Sequence, residues 1–344
     1  MNTKDKEIRM EKFQKLLFFM GILILLLTLG FWAWQIYIKS GAEQLRTVNE
    51  YAKYEGEKYY SEVLYDGDVY EYDEECINLL ILGVDGRGEA QLNEAIGFGP
   101  KADSIYLAVL KPSNASLRLI NISRDAVTAI QLYDSLGQDI GIHPMQLGMQ
   151  YSVGDGLEES CELMEAAVSN LLGDIPIHGY CALYWNGIME VHDAVGPVTV
   201  EVPEYLAQLD FETFPESGMT ELNAEQAKIF VQCRDIDVTG SDELRVERQK
   251  EYFQALYDAG KEKIGESPFA VLGVKKKIEP YLVSDLTAHE ILTLANWITQ
   301  WSLRDLYIEN IPGKIAETAI QDVYIIEQDA LQEMLIKIFY NKRY

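Results

Sequence analysis

The chain has 344 residues, of which 48% are hydrophobic. A chain of this size and composition can bury one large core or two modest ones, which excludes global disorder. The formal net charge of −26 at pH 7 excludes the basic face of a nucleic-acid-binding protein, so we predict no nucleic-acid partner. Any bound polyanion must rely on a local cluster of cations or on a metal ion, because the mean field of the protein repels it.

The N-terminal segment has the features of a membrane anchor. Residues Leu16 to Trp34 are uncharged and almost wholly apolar, and a helix of this length crosses a hydrocarbon core of ~30 Å. Five basic residues precede the segment: Lys4, Lys6, Arg9, Lys12 and Lys15. Only Lys39 follows it closely, so the positive-inside rule places the N-terminus in the cytoplasm. We therefore predict a single-pass protein of the cell membrane, and a cleaved signal peptide is the alternative.

The predicted organisation is a tail, an anchor, a spacer and one domain. The cytoplasmic tail covers residues 1–15 and the transmembrane anchor residues 16–38. Residues 39–75 are acidic and rich in tyrosine, which predicts an extended extracytoplasmic spacer. Residues 76–344 are predicted to form a single extracytoplasmic α/β domain.

Three short apolar runs at the start of that domain predict buried strands. They cover residues 77–84, 104–110 and 117–122. Asp85 follows the first run and Arg124 follows the third, whereas Asp103 precedes the second. All three reach one sheet edge only if the second strand is antiparallel to the first. Two carboxylates and an arginine at such an edge suit a divalent cation and a phosphate, and a solvated loop is the alternative.

The rest of the domain alternates between predicted helices and strands. Residues 91–102 are predicted to be a loop and residues 126–152 to be irregular and punctuated by glycine. Apolar periodicity predicts helices over 156–172, 186–195, 285–301 and 329–339, and strands over 180–185, 198–202, 306–310 and 323–326. This alternation predicts a layered α-β-α domain with a central mixed sheet.

Two further predicted helices carry a candidate phosphate clamp. Asn223 and Gln226 have the spacing of a capping box, which predicts that a helix begins there. Asp242 is expected to cap the next helix, in which three polar side chains share one face: Arg245, Arg248 and Gln249. Two arginines and an amide near a helix N-terminus can hold a phosphate, and a solvated face paired with glutamates is the alternative.

The four cysteines, Cys76, Cys161, Cys181 and Cys233, lie far apart without a CxxC pair. This spacing disfavours zinc. Export would permit disulfides, and buried free thiols are an equally good interpretation.

Several motifs in a fixed order resemble a known family. They are Asn78–Arg87, Lys101–Ser104, Ile122–Asp125, Leu222–Ala227, Arg234 and Asp242–Gln249. In this order and spacing they resemble the LytR–CpsA–Psr family of bacterial cell-envelope proteins, over roughly residues 77–260. Family members transfer anionic glycopolymers, such as teichoic acid or capsular polysaccharide, from a polyprenyl-pyrophosphate carrier to peptidoglycan. The resemblance implies a membrane-anchored, Mg²⁺-dependent phosphotransferase whose partners are the carrier-linked glycopolymer, peptidoglycan and the membrane.

The resemblance also implies roles for the matching residues. Asp85 and Asp103 would hold Mg²⁺, with Mn²⁺ as the alternative ion. The expected phosphate-binding set is Arg87, Lys101, Arg124, Arg234, Arg245, Arg248 and Gln249. The expected catalytic set is Arg124, Asp125 and Asp242, in which one of the two carboxylates orients groups or accepts a proton.

Some positions depart from the family pattern. Lys101 stands where the family usually has arginine, Gln232 replaces the first arginine of an Arg-x-Arg motif, and Gly141 aligns with a family lysine. Fewer cations should weaken the binding of a pyrophosphate. Two alternatives to a transferase follow. One is a non-catalytic protein that binds polyprenyl phosphate or scaffolds the envelope, and the other is an exported metal-dependent pyrophosphatase.

Overall fold

The computed structural model describes residues 27–47, 61–93, 97, 99–134, 136–233, 241–267, 269–301, 307–318 and 322–343. The predicted cytoplasmic tail and residues 16–26 of the predicted anchor lie outside these residues. The described chain opens with a helix over residues 27–45, named α1. Within the described ranges, no helix combines the length and the apolar character needed to span a bilayer.

The described chain contains fifteen strands and nine further helices of the α type. The strands are β1 (Glu62–Tyr65), β2 (Asp68–Tyr72), β3 (Ile77–Val84), β4 (Ala102–Lys111), β5 (Ser116–Ile122), β6 (Val127–Tyr133), β7 (Asp139–Gln146), β8 (Gly179–Tyr184), β9 (Val198–Val202), β10 (Gly218–Leu222), β11 (Leu282–Ser284), β12 (Tyr307–Asn310), β13 (Gly313–Ala316), β14 (Val323–Ile326) and β15 (Tyr340–Lys342). The helices are α2 (Gln150–Val153), α3 (Glu158–Leu171), α4 (Gly187–Val195), α5 (Glu204–Leu209), α6 (Ala224–Gln232), α7 (Ser241–Glu266), α8 (Ala270–Ile278), α9 (Ala288–Gln300) and α10 (Gln328–Phe339).

A six-stranded sheet forms the centre of the domain, in the order β11-β8-β3-β4-β5-β12. Strands β3, β4 and β5 are antiparallel neighbours. Strand β8 is parallel to β3, and β12 is parallel to β5. The prediction of a central mixed sheet is confirmed. The antiparallel pairing of β3 with β4 also meets the condition that places Asp103 at the same edge as Asp85.

Helices cover both faces of this sheet, as the layered α-β-α prediction requires. Leu80 and Leu82 of β3 share one cluster of buried residues with side chains of α3 and α10. On the opposite face, Leu79 packs in a cluster with Trp297 and Trp301, whose rings stack 5.8 Å apart. The alternation of buried side chains along β3 explains why its sequence is apolar throughout.

The described parts of the predicted spacer pack against the domain, which differs from the extended segment expected. Leu45, near the end of α1, is fully buried in the cluster that contains Trp297. Strands β1 and β2 form a small sheet with β15. The glutamates that suggested a solvated linker pair with the C-terminus instead, since Arg343 lies 2.9 Å from Glu62 and 3.1 Å from Glu71.

The prediction of irregular structure over residues 126–152 is wrong. Strands β6 and β7 form an antiparallel ribbon there, and α2 follows. The ribbon lies outside the central sheet, and most of β7 is exposed, including Ile140 and Ile142. A strand without a buried face lacks the alternation by which strands are predicted, and Gly141 with φ of +92° further obscures it.

A second core forms where β9, β10 and helices α5 to α7 meet, around Phe214, Phe230 and Tyr252. The predicted capping box opens α6, because Gln226 N donates to Asn223 Oδ1 (2.9 Å) and Asn223 N donates to Gln226 Oε1 (3.0 Å). All four cysteines are free thiols, which favours the second of the two interpretations of these residues.

Candidate active site

Asp85 lies directly after β3, at the edge where β4 begins. Its backbone N–H donates to Lys101 O (3.0 Å), and its Oδ1 accepts a hydrogen bond from Lys101 N (2.6 Å). These two bonds close the base of the loop between the strands. The carboxylate of Asp85 is therefore held beside the first residues of β4, and Asp103 is the second of them.

Arg124 lies two residues after the end of β5 and reaches across to β4. Its guanidinium donates to Asp103 Oδ1, and its Nε lies 3.8 Å from Asp125 Oδ2. The side chains of Arg124 and Asp103 are 37% and 36% exposed, so the pair faces solvent at the sheet edge. The meander β3-β4-β5 thus brings together Asp85, Asp103 and Arg124, as the sequence predicts for one sheet edge.

Gly148 packs closely against the backbone of Arg124. Its N–H donates to Arg124 O (2.8 Å). A Cβ at this position would lie 2.7 Å from Ala102 O and 3.1 Å from Arg124 Cβ. Only glycine leaves Arg124 and the start of β4 in their observed places.

The two carboxylates influence each other electrostatically. Burial raises the pKa of Asp85, and the charge of Asp103 raises it further, whereas Lys101 and Arg124 act in the opposite direction. Mg²⁺ in proteins is commonly held by one or two carboxylates together with water and phosphate oxygens of the substrate. The pair Asp85 and Asp103 fits that donor set. Among the described residues no group of three or more histidine, cysteine or acidic side chains could hold a metal ion.

Asp125 ties the end of β5 to neighbouring elements. Its Oδ1 accepts a hydrogen bond from Gln146 Nε2 (2.9 Å), and its carbonyl accepts one from Tyr324 N (2.8 Å). These contacts join it to β7 and β14. Asp125 can therefore orient Arg124, and the geometry suits this role at least as well as it suits the role of a general base.

Helix α7 brings two more predicted residues to the face of β4. Tyr106 OH donates a long hydrogen bond to Gln249 Oε1 (3.5 Å), and the Tyr106 ring meets Phe253 edge-on at 5.9 Å. Burial raises the pKa of Tyr106 to about 12, and the positive charge of Arg245 opposes this shift. Arg245 and Gln249 therefore lie beside a tyrosine that is three residues along β4 from Asp103.

Arg248, the third member of the predicted clamp, has a different environment. It is 3% exposed, and its Nε donates to Phe230 O (2.8 Å). One terminal nitrogen donates to Tyr205 OH (2.5 Å) and the other to Cys233 O. These bonds complete the end of α6, because the last carbonyls of a helix lack intrahelical partners. The expectation that Arg248 binds phosphate conflicts with this placement, since its guanidinium faces the core between α6 and α7.

The structure leaves the remaining expected residues untested. Arg87 and Lys101 are exposed in the loop between β3 and β4. Arg234 lies outside the described residues. Asp242 is the second residue of α7, and its side chain lies outside the described part. Their roles in phosphate binding and catalysis stay predictions.

No sequence pattern predicts an opening on the sheet face below α7. Ile81 lies in the middle of β3, yet it is 39% exposed. Its neighbours in register are Tyr106 on β4 and Cys181 on β8. Side chains of a central strand under a layer of helices are normally buried. The exposure of Ile81 therefore indicates a gap between the sheet and the helices. An apolar residue in an apolar run predicts burial, so no sequence signal could have identified this gap.

Comparison with known proteins identifies the family that shares this architecture. The profile of the LytR–CpsA–Psr family matches residues 37–339, beyond the region in which the motifs are found. The chain belongs to this family. The family match includes the packed end of α1 and the C-terminal helix α10.

Relatives in sequence include proteins with transferase names. The chain is 31% identical over 164 residues to the polyisoprenyl-teichoic acid–peptidoglycan teichoic acid transferase TagV of Bacillus subtilis. It is 28% identical over 186 residues to the transferase TagU of Bacillus anthracis. These matches cover 46% and 54% of this chain, and only 38% of TagV and 53% of TagU. Biofilm regulatory protein A of Streptococcus mutans is 25% identical over 234 residues, which are 66% of this chain and 52% of that protein.

Solved structures share the fold. The structure of TagT bound to LIIa-WTA has a TM-score of 0.57 and 20% identity, and the match covers 78% of this chain and 92% of TagT. Bacillus subtilis TagV has a TM-score of 0.56 and 19% identity, with 76% of this chain and 94% of TagV covered. At this level of identity the likeness shows the fold alone.

Proposed function

We propose that this protein is a membrane-anchored phosphotransferase that attaches an anionic glycopolymer from a polyprenyl-pyrophosphate carrier to peptidoglycan. The observation that carries the proposal is the convergence of Asp85, Asp103 and Arg124 at one sheet edge, with Arg245 and Gln249 beside β4. The names of TagV and TagU support the same reaction class.

The proposed reaction replaces the phosphoanhydride bond of the carrier pyrophosphate with a phosphodiester bond to peptidoglycan. A hydroxyl oxygen of peptidoglycan attacks the phosphorus that carries the glycopolymer. A new P–O bond forms, the bond to the bridging oxygen of the pyrophosphate breaks, and polyprenyl phosphate leaves with the electron pair. The hydroxyl proton passes to a carboxylate, for which Asp125 and Asp242 are the candidates. Phosphoryl transfer depends mainly on positioning and on neutralising charge.

Arg124 and Arg245 supply cations to the phosphates in this proposal. Arg124 has a planar fork of donors that matches phosphate oxygens, and Asp103 and Asp125 hold it at the edge. We leave Arg248 out of the set because its donors serve Phe230, Tyr205 and Cys233. Asp85 and Asp103 would hold Mg²⁺, which when bound neutralises phosphate oxygens.

The gap above Ile81 is the proposed place for the polyprenyl chain. It opens on an apolar sheet face beside Tyr106, the cross-strand neighbour of Ile81, and Tyr106 contacts Gln249 and Phe253 of α7. A lipid chain there would lead its pyrophosphate toward Arg245 and Gln249. Ile81→Trp, which fills the gap, should abolish donor binding, whereas Ile81→Val should retain it.

The membrane anchor is part of the proposal and rests on the sequence. Residues 16–38 are assigned to the span, with the N-terminus in the cytoplasm and the domain outside it. A lipid-linked donor is confined to the bilayer, so an anchored enzyme meets it by lateral diffusion.

A binding protein without turnover is the second candidate. The observation in its favour is the thinner cation set, because Gln232 stands where the family has arginine and its Nε2 is buried without a hydrogen-bond partner in the described structure. Such a protein would retain the lipid donor and leave it intact.

The test is a transfer assay with the full chain in detergent, a polyprenyl-pyrophosphate-linked teichoic acid precursor and peptidoglycan. We expect a product that requires Mg²⁺ and is lost in Asp103→Asn. The control Glu225→Gln changes an acid whose side chain is 63% exposed on α6 and should leave the rate unchanged. Product formation by Asp103→Asn at the normal rate would contradict the proposed site.

A further inference from the structure

A basic strip crosses the end of α7 and α8 in an otherwise acidic protein. Residues 261–278 contain five lysines against two glutamates, a local net charge of +3 in a chain of net charge −26. The lysines are Lys261, Lys263, Lys275, Lys276 and Lys277. A positive segment of this kind attracts an anionic surface, although the protein as a whole repels one.

The contacts of these lysines leave most of the charge uncompensated. Lys261 Nζ donates to Trp301 O (2.7 Å), and Lys275 Nζ donates to Leu286 O (3.3 Å). Backbone carbonyls carry no formal charge, so these two contacts do not offset the positive charge of the strip. Lys277 faces Glu190 at 3.6 Å, and its side chain stays 42% exposed.

An exposed aromatic side chain stands at the start of the same strip. Phe269 is 59% exposed, immediately before α8, and α8 itself contains no fully buried residue. The Phe269 ring meets the Trp34 ring of α1 edge-on, with centroids 6.1 Å apart. Phe269 is therefore continuous with the surface of α1.

Helix α1 exposes large apolar side chains next to this contact. Leu27, Phe31 and Trp32 are 65%, 60% and 66% exposed. The helix is held to the domain farther along, where the Tyr37 ring lies 4.0 Å from the His289 ring and His289 Nε2 lies 2.6 Å from Tyr37 O. The fixed attachment at His289 sets the position of the apolar part of α1 relative to α8.

We propose that Phe269, α8 and the last turn of α7, together named the α8 surface, rest on the headgroup region of an anionic bilayer. Aromatic and apolar side chains flanked by lysines are the composition of segments that lie in a membrane interface. The apolar residues of α1 would enter the bilayer beside Phe269, and the lysines would contact anionic headgroups. The inference does not depend on the transfer reaction, but it rests on the membrane anchor of the proposed function, because it concerns how the domain sits on the membrane.

The test places a tryptophan at the proposed contact in the full chain, reconstituted in nanodiscs that contain phosphatidylglycerol. Phe269→Trp is compared with the unsubstituted chain, which gives the background of the native tryptophans. Lipids brominated near the headgroup quench only fluorophores at that depth. Phe211→Trp is the control, because Phe211 is 69% exposed but lies in a groove between Glu204 and Glu216.

Brominated lipid should reduce the emission added by Phe269→Trp at least about twofold and leave that of Phe211→Trp unchanged. Replacing phosphatidylglycerol by phosphatidylcholine, or introducing Lys263→Glu with Lys276→Glu, should weaken this quenching. Equal added emission from Phe269→Trp in brominated and ordinary lipid would overturn the proposal, and so would failure of the folded chain to enter nanodiscs. Because no donor is present, a negative result here is separate from a failure of transfer.

Discussion

The guanidinium of Arg124 donates to the carboxylate of Asp103 and so joins the end of β5 to the start of β4. Both side chains are about a third exposed. Ion pairs with this exposure contribute about 0–1 kcal/mol to folding. The pair therefore contributes little to stability. Its role is to hold a cation and a carboxylate in place at an open sheet edge.

Arg124→Ala should abolish transfer with little loss of stability. We expect the rate to fall at least about a hundredfold, because one phosphate cation and the partner of Asp103 are removed together. The melting temperature should change by only a few degrees. The control is Arg118→Ala on β5, which breaks the ion pair of Arg118 with Glu309 of β12 (2.5 Å). Equal loss of transfer in both variants would contradict a specific role for Arg124.

Substitutions of the two arginines of α7 should have different effects, one mainly on the free energy of unfolding and the other mainly on binding of the lipid pyrophosphate. Arg248→Met leaves the carbonyls of Phe230 and Cys233 without their donor, so it should lower the free energy of unfolding by about 2–4 kcal/mol. Arg245→Met should lower it by less than about 1 kcal/mol and should weaken binding of the lipid pyrophosphate. Urea unfolding and a binding isotherm on both variants check this. The reverse pattern would place the phosphate contact on Arg248.

Gly148→Ala should reduce activity through the position of Arg124. The added methyl group would lie 2.7 Å from Ala102 O, so the backbone of β4 or of Arg124 must shift. We expect a lower turnover with a smaller change in donor affinity, because the donor also contacts α7 in our proposal. Gly265→Ala is the control, since a Cβ there meets nothing within 4 Å. Unchanged turnover in Gly148→Ala would show that this close packing is not needed.

Glu165 of α3 should make stability depend on pH. It is 2% exposed, and burial, with a smaller contribution from Asp285, raises its pKa to about 8. The unfolded chain ionises near the ordinary value of 4.5, so the folded state holds the proton more tightly. Stability is therefore unaffected by this group below about pH 4.5, falls as the pH rises toward about 8, and levels off above it.

Glu165→Gln removes this titration. Relative to the unsubstituted chain, the variant should gain roughly 3–5 kcal/mol between acidic and mildly alkaline pH, measured by urea unfolding at several pH values. Glu162→Gln, one turn away and more exposed, should show a much smaller trend. A flat difference between Glu165→Gln and the unsubstituted chain across this range would contradict a buried, protonated Glu165.

The sequence predicted the parts of the site that follow buried strands. Asp85 and Arg124 come directly after apolar runs, and the antiparallel pairing of β3 with β4 brings Asp103 to them. The capping box was also predictable from the sequence, because its two partners, Asn223 and Gln226, are three residues apart. Such features depend on local order along the chain.

Other features depend on packing that sequence patterns do not encode. Arg245 and Arg248 are equivalent by spacing, and only the end of α6 decides that Arg248 turns inward. Ile81 is one apolar residue among many, and its exposure is decided by tertiary packing on its face of the sheet. The glutamates of β1 and β2 suggested a linker because their partner, Arg343, is far away in the sequence.

The most direct test of the proposed function asks where the phosphate goes. The full chain is incubated with Mg²⁺ and a polyprenyl-pyrophosphate-linked teichoic acid precursor, with and without peptidoglycan, and the products are identified by mass spectrometry. We predict a phosphodiester between glycopolymer and peptidoglycan that forms only with the acceptor and is absent with Arg124→Ala. A donor that stays bound and intact, or that is hydrolysed equally with and without peptidoglycan, would contradict a transferase.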